Sequence, residues 1–400
     1  MRRGTAALLS CALLLAACSD DAPSTGEVVV VVSAPLSRAP WVGESVERGA
    51  RLAMAQINAA GGIGGRSVSL DVMDHGNSVQ TAQAQARRAV DSGAALLLSD
   101  GVGAVAVSGV TGPARLPTVI TFESGTDLID EDARPTLFRL APANAPMTRR
   151  LADYIAGRNP RVALIHDDTS YGKDGRTELV DAMARNRTRV AASVEVPAGA
   201  ADVATQVLRA RRSGADTVVL WARAPVVAAV VRRMRVIGWQ APVFTGPPGE
   251  DPLVRQQLAD RPEWVDGLTF VSFRITAEIG PEPFQGFRAA YEKEFGPDEI
   301  GVTAGGRPVV MPPDWAMYSY DALFLLKAAL ERTDGARGQP LIDAFNTVSI
   351  TGANGDERSF GPQNHEGVSP DDMYFGRFSG MRFAPVTDDI LSTGLPPVPQ

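Results

Sequence analysis

Glu27-Val-Val-Val-Val-Val-Ser-Ala34, followed after a short loop by Val46 to Gly62, is the stretch that decides the fold. The valines Val28 to Val32 are a strand signal. In the segment after them, Val46, Ala50, Ala53 and Ile57 fall on one face at helical spacing, and Gly61-Gly62 stop the helix. Outward from there the same unit repeats, with strands expected at Ser67 to Met73, Ala94 to Leu98 and Thr118 to Thr121, each followed by a helical pattern. A second series starts near Arg161, with strands Val162 to His166, Arg189 to Val196, Thr217 to Trp221 and Val243 to Thr245. Short β-branched runs alternating with longer amphipathic segments predict an α/β fold with two mostly parallel sheets flanked by helices. A chain of 400 residues exceeds one comfortable core, so the two series are read as two lobes. Helices are also expected at Pro283 to Phe295 and Asp314 to Arg332, with short strands and turns from Asn354 to Pro385.

In open α/β sheets, ligands bind at loops leaving the carboxyl ends of the strands. Four such loops are candidates: Pro35 to Gly43, Ser99 to Ala104, Phe122 to Asp127 and Asp167 to Gly172.

At the N-terminus, Met1-Arg2-Arg3 precedes an apolar run, Gly4 to Ala17, that is too short to span a bilayer and ends in small residues. This is the pattern of a signal peptide over residues 1–17. Leu15-Ala-Ala-Cys18 resembles the lipobox of bacterial lipoproteins, which implies that Cys18 is the lipid anchor of an exported chain. Residues 18–26 are small and polar, the composition of a flexible tether. Cys11 and Cys18 are the only cysteines, so the folded part has no disulfide and no thiol catalysis. With Arg2 and Arg3 removed, the 39 basic residues fall by two against 46 acidic ones, and the charge moves from −7 to about −9. No nucleic-acid partner is expected.

Several further pieces occur in a fixed order: Gly49-Ala-Arg-Leu-Ala53, Ile57-Asn-Ala-Ala-Gly-Gly-Ile-Gly-Gly65, Val162-Ala-Leu-Ile-His-Asp-Asp-Thr-Ser-Tyr-Gly172, Val236-Ile-Gly-Trp239, Gly246-Pro-Pro-Gly249, Tyr320-Asp-Ala322 and Phe360-Gly-Pro-Gln-Asn-His-Glu-Gly367. In these the chain resembles the periplasmic branched-chain amino-acid-binding proteins, the solute receptors of ABC importers. The resemblance covers essentially Glu27 to Pro385 and implies a type I two-lobe fold with three crossings between lobes, near Ala141, Thr276 and Ile350. Lobe one would combine 27–140 with 277–350, and lobe two 141–276 with 351–400. It also implies a small-molecule ligand, a permease and ATPase complex as partner, a membrane contact through the lipid anchor alone, a monomer, and no cofactor, metal or catalytic residue.

Residue by residue, the resemblance places Gly103 and Ala104 in a first carboxylate-binding loop, where only backbone N–H donors remain. Ser124 and Thr126 take the second. Tyr171 lies over the ligand from lobe two, offering an apolar face and a hydroxyl. Trp41 walls the pocket from lobe one, and Arg223 stands near a family aromatic position. The departure is Gly246-Pro247-Pro248-Gly249, where amino-acid-binding members carry a glutamate that holds the ligand ammonium. Proline supplies neither charge nor N–H. Either Glu250, Asp251 or Glu123 takes over, or the ligand has no α-ammonium; the expected ligand is accordingly a small carboxylate, amide or amino-acid-like molecule.

Two rivals share the sequence. Gly101-Val-Gly-Ala-Val-Ala106 mimics a dinucleotide fingerprint, but the pattern is weak in a chain with 39 glycines. His75, His166 and His365 are the only histidines, and no Gly-x-Ser-x-Gly elbow accompanies them. A ligand-binding sensor subunit for a membrane receptor would use the same fold and chemistry as an importer's receptor.

Overall fold

The computed structural model describes residues 26–158, 160–273 and 282–386, so Cys18, most of the tether and the crossing expected near Thr276 lie outside the described residues. The first sheet holds β1 (Val28–Ala34), β2 (Val68–Asp74), β3 (Leu96–Ser99), β4 (Thr118–Ile120) and β5 (Leu137–Arg139). All run parallel in the order β2-β1-β3-β4-β5. Central β1 has both faces covered, which is why its sequence is an unbroken valine run rather than an alternation. Helices α1 (Pro40–Ala59), α2 (Val79–Asp91) and α3 (Ala104–Thr111) connect these strands. Pro40 opens α1 at a position where its missing N–H costs nothing, and Gly61 and Gly62 end the helix at φ of +100° and +79°. Val46, Ala50, Ala53 and Ile57 are all buried, as their spacing predicts.

The chain then builds a second layered unit from α4 (Asn144–Ala156), β6 (Arg161–Asp167), α5 (Ser170–Arg185), β7 (Arg189–Val196), α6 (Ala204–Arg212), β8 (Thr217–Trp221), α7 (Ala224–Val236), β9 (Val243–Thr245), α8 (Pro252–Gln257) and β10 (Thr269–Phe273). Next come α9 (Glu282–Phe295), a hairpin of β11 (Asp298–Ala304) and β12 (Arg307–Met311), α10 (Ala316–Arg332), α11 (Gln339–Phe345), a small pair β13 (Ser349–Thr351) and β14 (Glu357–Ser359), and finally β15 (Met373–Ser379) and β16 (Arg382–Pro385). The last two strands add antiparallel to the second sheet, whose order is β16-β15-β10-β9-β8-β6-β7.

Two segments depart from the lobe limits expected from the sequence. The hairpin lies inside the stretch assigned to lobe one, yet Ile300, Val302, Val309 and Met311 are buried with Val254 and Leu258 of the second lobe. Its signal is Gly305-Gly306 between alternating apolar residues. The third passage also falls later than Ile350. Phe360 and Val368 are buried in the first lobe's core, and His365 stacks on Phe138 at 4.2 Å. The physical reason is an edge: β5 is the last strand of its sheet, and its Arg139 N–H and C=O are met by His365 O and Gly367 N, both at 2.8 Å.

Near that late passage sits Arg358, without exposed surface. Its guanidinium donates to Asp321 of α10 at 3.1 Å, Asp372 at 3.0 Å and Asn354 at 2.9 Å. Arg358→Met is expected to destabilise the protein by about 3–5 kcal/mol, because it strands buried carboxylates. Burial pushes Asp321 up to about 6, so its contribution is complete below the unfolded carboxylate range and fades as pH rises through that value. The loss in urea unfolding should therefore be smaller near pH 5 than near pH 8, about three units apart. An equal loss at both would show that these carboxylates do not carry the effect.

Candidate functional site

The carboxyl ends of both sheets face one cleft of about 770 Å³. Lobe one contributes the loops after β1, β3 and β4 and the start of α10; lobe two contributes the loops after β6, β8 and β9. Each loop is short because a parallel strand hands directly to the next helix, and this brings residues distant in sequence to a common rim.

On the lobe-one side the wall is aromatic. Phe122 stacks on Trp315 at 4.2 Å, and Trp41 packs edge-on to both, at 5.7 and 6.4 Å. The Trp315 indole N–H donates to the Glu250 carboxylate at 3.0 Å, which ties this wall to the second lobe. Across the cleft, Tyr171 stacks on Trp221 at 5.7 Å, and the Arg223 guanidinium stands 5.0 Å from the Tyr171 ring centre. Arg223 then reaches Glu123 of lobe one, Nη2 lying 3.2 and 3.4 Å from the two carboxylate oxygens. Its backbone N–H donates to Asp167 at 2.6 Å. Thr126 makes a further crossing, its hydroxyl donating to Glu178 of α5 at 3.0 Å.

Of the residues singled out from sequence, Trp41, Ser124, Tyr171 and Arg223 line the cleft together. Gly103, Ala104, Thr126 and Glu250 do not. Gly103 turns the chain at φ +67° and faces Val79 of α2, while Ala104 is buried with Ile120 and Leu137. Glu250 is wholly buried behind Trp315. Beside it Asp314 is pushed well above the usual carboxylate range, by burial first and the Glu250 charge second.

Three of the backbone N–H groups of the loop Ser99 to Ala104 already have partners within the protein. Gly101 N–H donates to Ser99 Oγ at 3.1 Å, Val102 N–H to Asp100 Oδ1 at 3.1 Å, and Ala104 N–H to the Gly101 carbonyl at 3.0 Å. Asp100 thus supplies its own carboxylate to the start of α3, where the helix favours negative charge, and His75 Nε2 lies 3.0 Å from the same oxygen. The aromatic face of Tyr171 is also less available than expected. Tyr171 is 4% exposed, whereas the Arg223 side chain is 45% exposed, so the arginine is the group presented to the cleft. Burial holds the Tyr171 hydroxyl well above its ordinary value, so it stays protonated, and it has no hydrogen-bond partner among the described residues.

Sequence reasoning missed Asp100, Phe122 and Trp315 as lining residues. The first two sit inside loops already marked by their place after a strand; Trp315 follows Pro312-Pro313 at a helix start, with no local signal that it points across to another lobe. Arg139 was missed as well. It is fully buried, it donates to the carbonyls of Gly125 at 2.7 Å and Glu123 at 3.4 Å, and it pairs with Glu366. This positions the loop that carries Glu123.

Two parallel-sheet lobes facing one cleft, with rim residues from the strand carboxyl ends of each, define a two-lobe solute-binding protein of type I. The chain belongs to the periplasmic binding protein family, whose model matches residues 28–381. It is 28% identical over 316 residues to an amino acid binding protein of Pseudomonas aeruginosa, spanning 76% of this chain and 78% of that one. A branched-chain amino acid transporter substrate-binding protein of Streptococcus pneumoniae, solved with isoleucine, superposes with a TM-score of 0.76 at 18% identity, over 90% of this chain and 98% of that one. A solute-binding protein of an ABC transporter from Rhodopseudomonas palustris, solved with 3,4-dihydroxybenzoic acid, gives 0.74 at 16% identity, over 92% and 99%.

Gly246 allows the Tyr171–Trp221 stack, since a Cβ there would overlap the Tyr171 hydroxyl and stand 3.1 Å from the Trp221 ring. Gly246→Ala should cost about 1–3 kcal/mol of stability by overpacking and displace the Arg223 loop. Urea unfolding checks the first effect; an unchanged midpoint would mean that the stack gives way freely.

Proposed function

We propose that this chain is the exported, lipid-anchored receptor of an ABC importer, which captures a small carboxylate, amide or amino-acid-like solute between its lobes and presents it to a permease and ATPase complex. It acts as a monomer and catalyses no reaction. The observation that carries the reading is the cleft itself: an aromatic wall on one lobe, a guanidinium on the other, and ionic and hydrogen-bonded contacts at its rim that join the lobes directly. Closure around a small solute removes water and strengthens each polar contact, which is what a receptor needs and a static scaffold does not. The fold alone leaves the ligand open, since structural neighbours of this shape hold isoleucine in one case and a dihydroxybenzoic acid in another. The anchor rests on Leu15-Ala-Ala-Cys18 and the polar stretch after it.

Two measurements test the reading. A ligand found by thermal-shift screening of amino acids, aromatic acids, amides and short polyols should reduce the radius of gyration in small-angle scattering; an unchanged radius at saturation would remove lobe closure. Cys18→Ala should release the protein from the membrane fraction or block its processing. Recovery of that variant in membranes, cleaved and held as tightly as the parent, would count against the lipid anchor.

A further inference from the structure

The charges that face the cleft are unevenly committed. Asp100 is taken by His75 and the Val102 N–H, and Glu123 by Arg223. Asp251 accepts from the Leu253 N–H at 2.8 Å at the start of α8, and burial pushes its carboxyl up to about 6. Arg38 lines the same cleft, is exposed, and forms no ion pair or side-chain hydrogen bond among the described residues. The lining charge left with neither ion pair nor side-chain hydrogen bond among the described residues is therefore positive. An entering ammonium would have to strip Asp100 or Glu123 from its present partner, while at Asp251 burial already disfavours the charged carboxylate.

The apolar surface has a particular shape as well. Pro247 and Pro248 offer no N–H to a ligand, so the lobe-two floor of the cleft lacks donors there. Trp41 and Phe122, both partly exposed and packed against the buried Trp315, present an aromatic surface, which a flat ring matches in stacked or edge-to-face geometry better than a branched alkyl chain does.

Building on the solute-binding reading above, we infer that the cleft selects an anionic ligand with a flat aromatic body and no ammonium group, an aryl or arylalkyl carboxylate, held at its carboxylate by Arg38 and at its ring by the Trp41–Phe122–Trp315 wall.

Calorimetry and intrinsic tryptophan fluorescence on the purified mature protein test this with benzoate, phenylacetate and 3-phenylpropanoate against 3-phenylpropanamide, phenylalanine and leucine. At least one of the acids should bind about tenfold or more tightly than the amide and than either amino acid, the scale of a charged hydrogen-bonded contact. Arg38→Gln should lower affinity for that acid by about tenfold, leave its affinity for the amide unchanged and leave the thermal midpoint of the unliganded protein in place. Phenylalanine binding more tightly than 3-phenylpropanoate, or leucine more tightly than all three acids, would overturn the inference and leave the solute-binding reading standing. Equal affinity for acid and amide, or an Arg38→Gln variant that binds the acid as the parent does, would overturn the charge assignment. If none of these compounds binds but a non-aromatic solute closes the lobes, the inference falls alone. If no small solute binds or closes the lobes, the solute-binding reading falls with it.

Discussion

Arg139 has no exposed surface, so its charge has to be answered inside the protein, and the partners it finds organise much of what lies around the cleft. Its guanidinium meets Glu366, in a segment more than two hundred residues further along the chain, and the carbonyls of Glu123 and Gly125 in the loop after β4. Its backbone N–H donates to the His365 carbonyl and its carbonyl accepts from the Gly367 N–H, which covers the open edge of the first sheet. One residue therefore closes a sheet edge, recruits the late chain segment to lobe one and fixes the loop from which Glu123 reaches Arg223. Loss of any one of these contacts would leave a buried donor or acceptor unmet, and that asymmetry makes the set cooperative.

The lobes are joined by more than a hinge of plain chain. The hairpin leaves α9 on lobe one, buries Ile300, Val302, Val309 and Met311 against lobe two, and returns to α10 on lobe one. Arg48 of α1 pairs with Asp298 at its near end, and Gln256 of α8 donates to the Ile300 carbonyl at 3.0 Å. A rotation of the lobes would have to flex the short segments on either side of the hairpin, at residues 296–298 and 312–315, together with the passages after β5 and before β15. The second of these ends at Trp315, whose ring is part of the cleft wall and whose indole N–H reaches Glu250 of the other lobe. Trp315 therefore belongs to the aromatic wall and holds a second-lobe carboxylate at once.

Local chemistry carries far in this family of folds, and the departures show where it stops. The valine run of β1, the helical face of α1 and the glycine stop after it needed no tertiary information, because period and backbone conformation are properties of a few consecutive residues. The ordered motifs then pointed to a two-lobe receptor, and the loops after β1, β3, β4 and β6 pointed to the cleft. Within those loops, however, the choice of residue went astray. Gly103 and Ala104 stand near Asp100 in sequence, but of the three only Asp100 lines the cleft, and its carboxylate takes up the Val102 N–H of the same loop.

Sequence by itself determined most of the element types, the mostly parallel sheets and the position of the cleft at the strand ends. Tertiary structure alone decided which charges are spent. Whether Glu123 is free for a ligand depends on Arg223, a hundred residues away and on the other lobe; whether Tyr171 is open depends on Trp221, Gly246 and the same arginine. Burial of Glu250 depends on Trp315 crossing from α10, and the placement of residues 298–311 depends on apolar burial against α8. Pairing and desolvation are set by distances between segments that no local pattern encodes, so the chemistry of the cleft became legible only once the lobes were in contact.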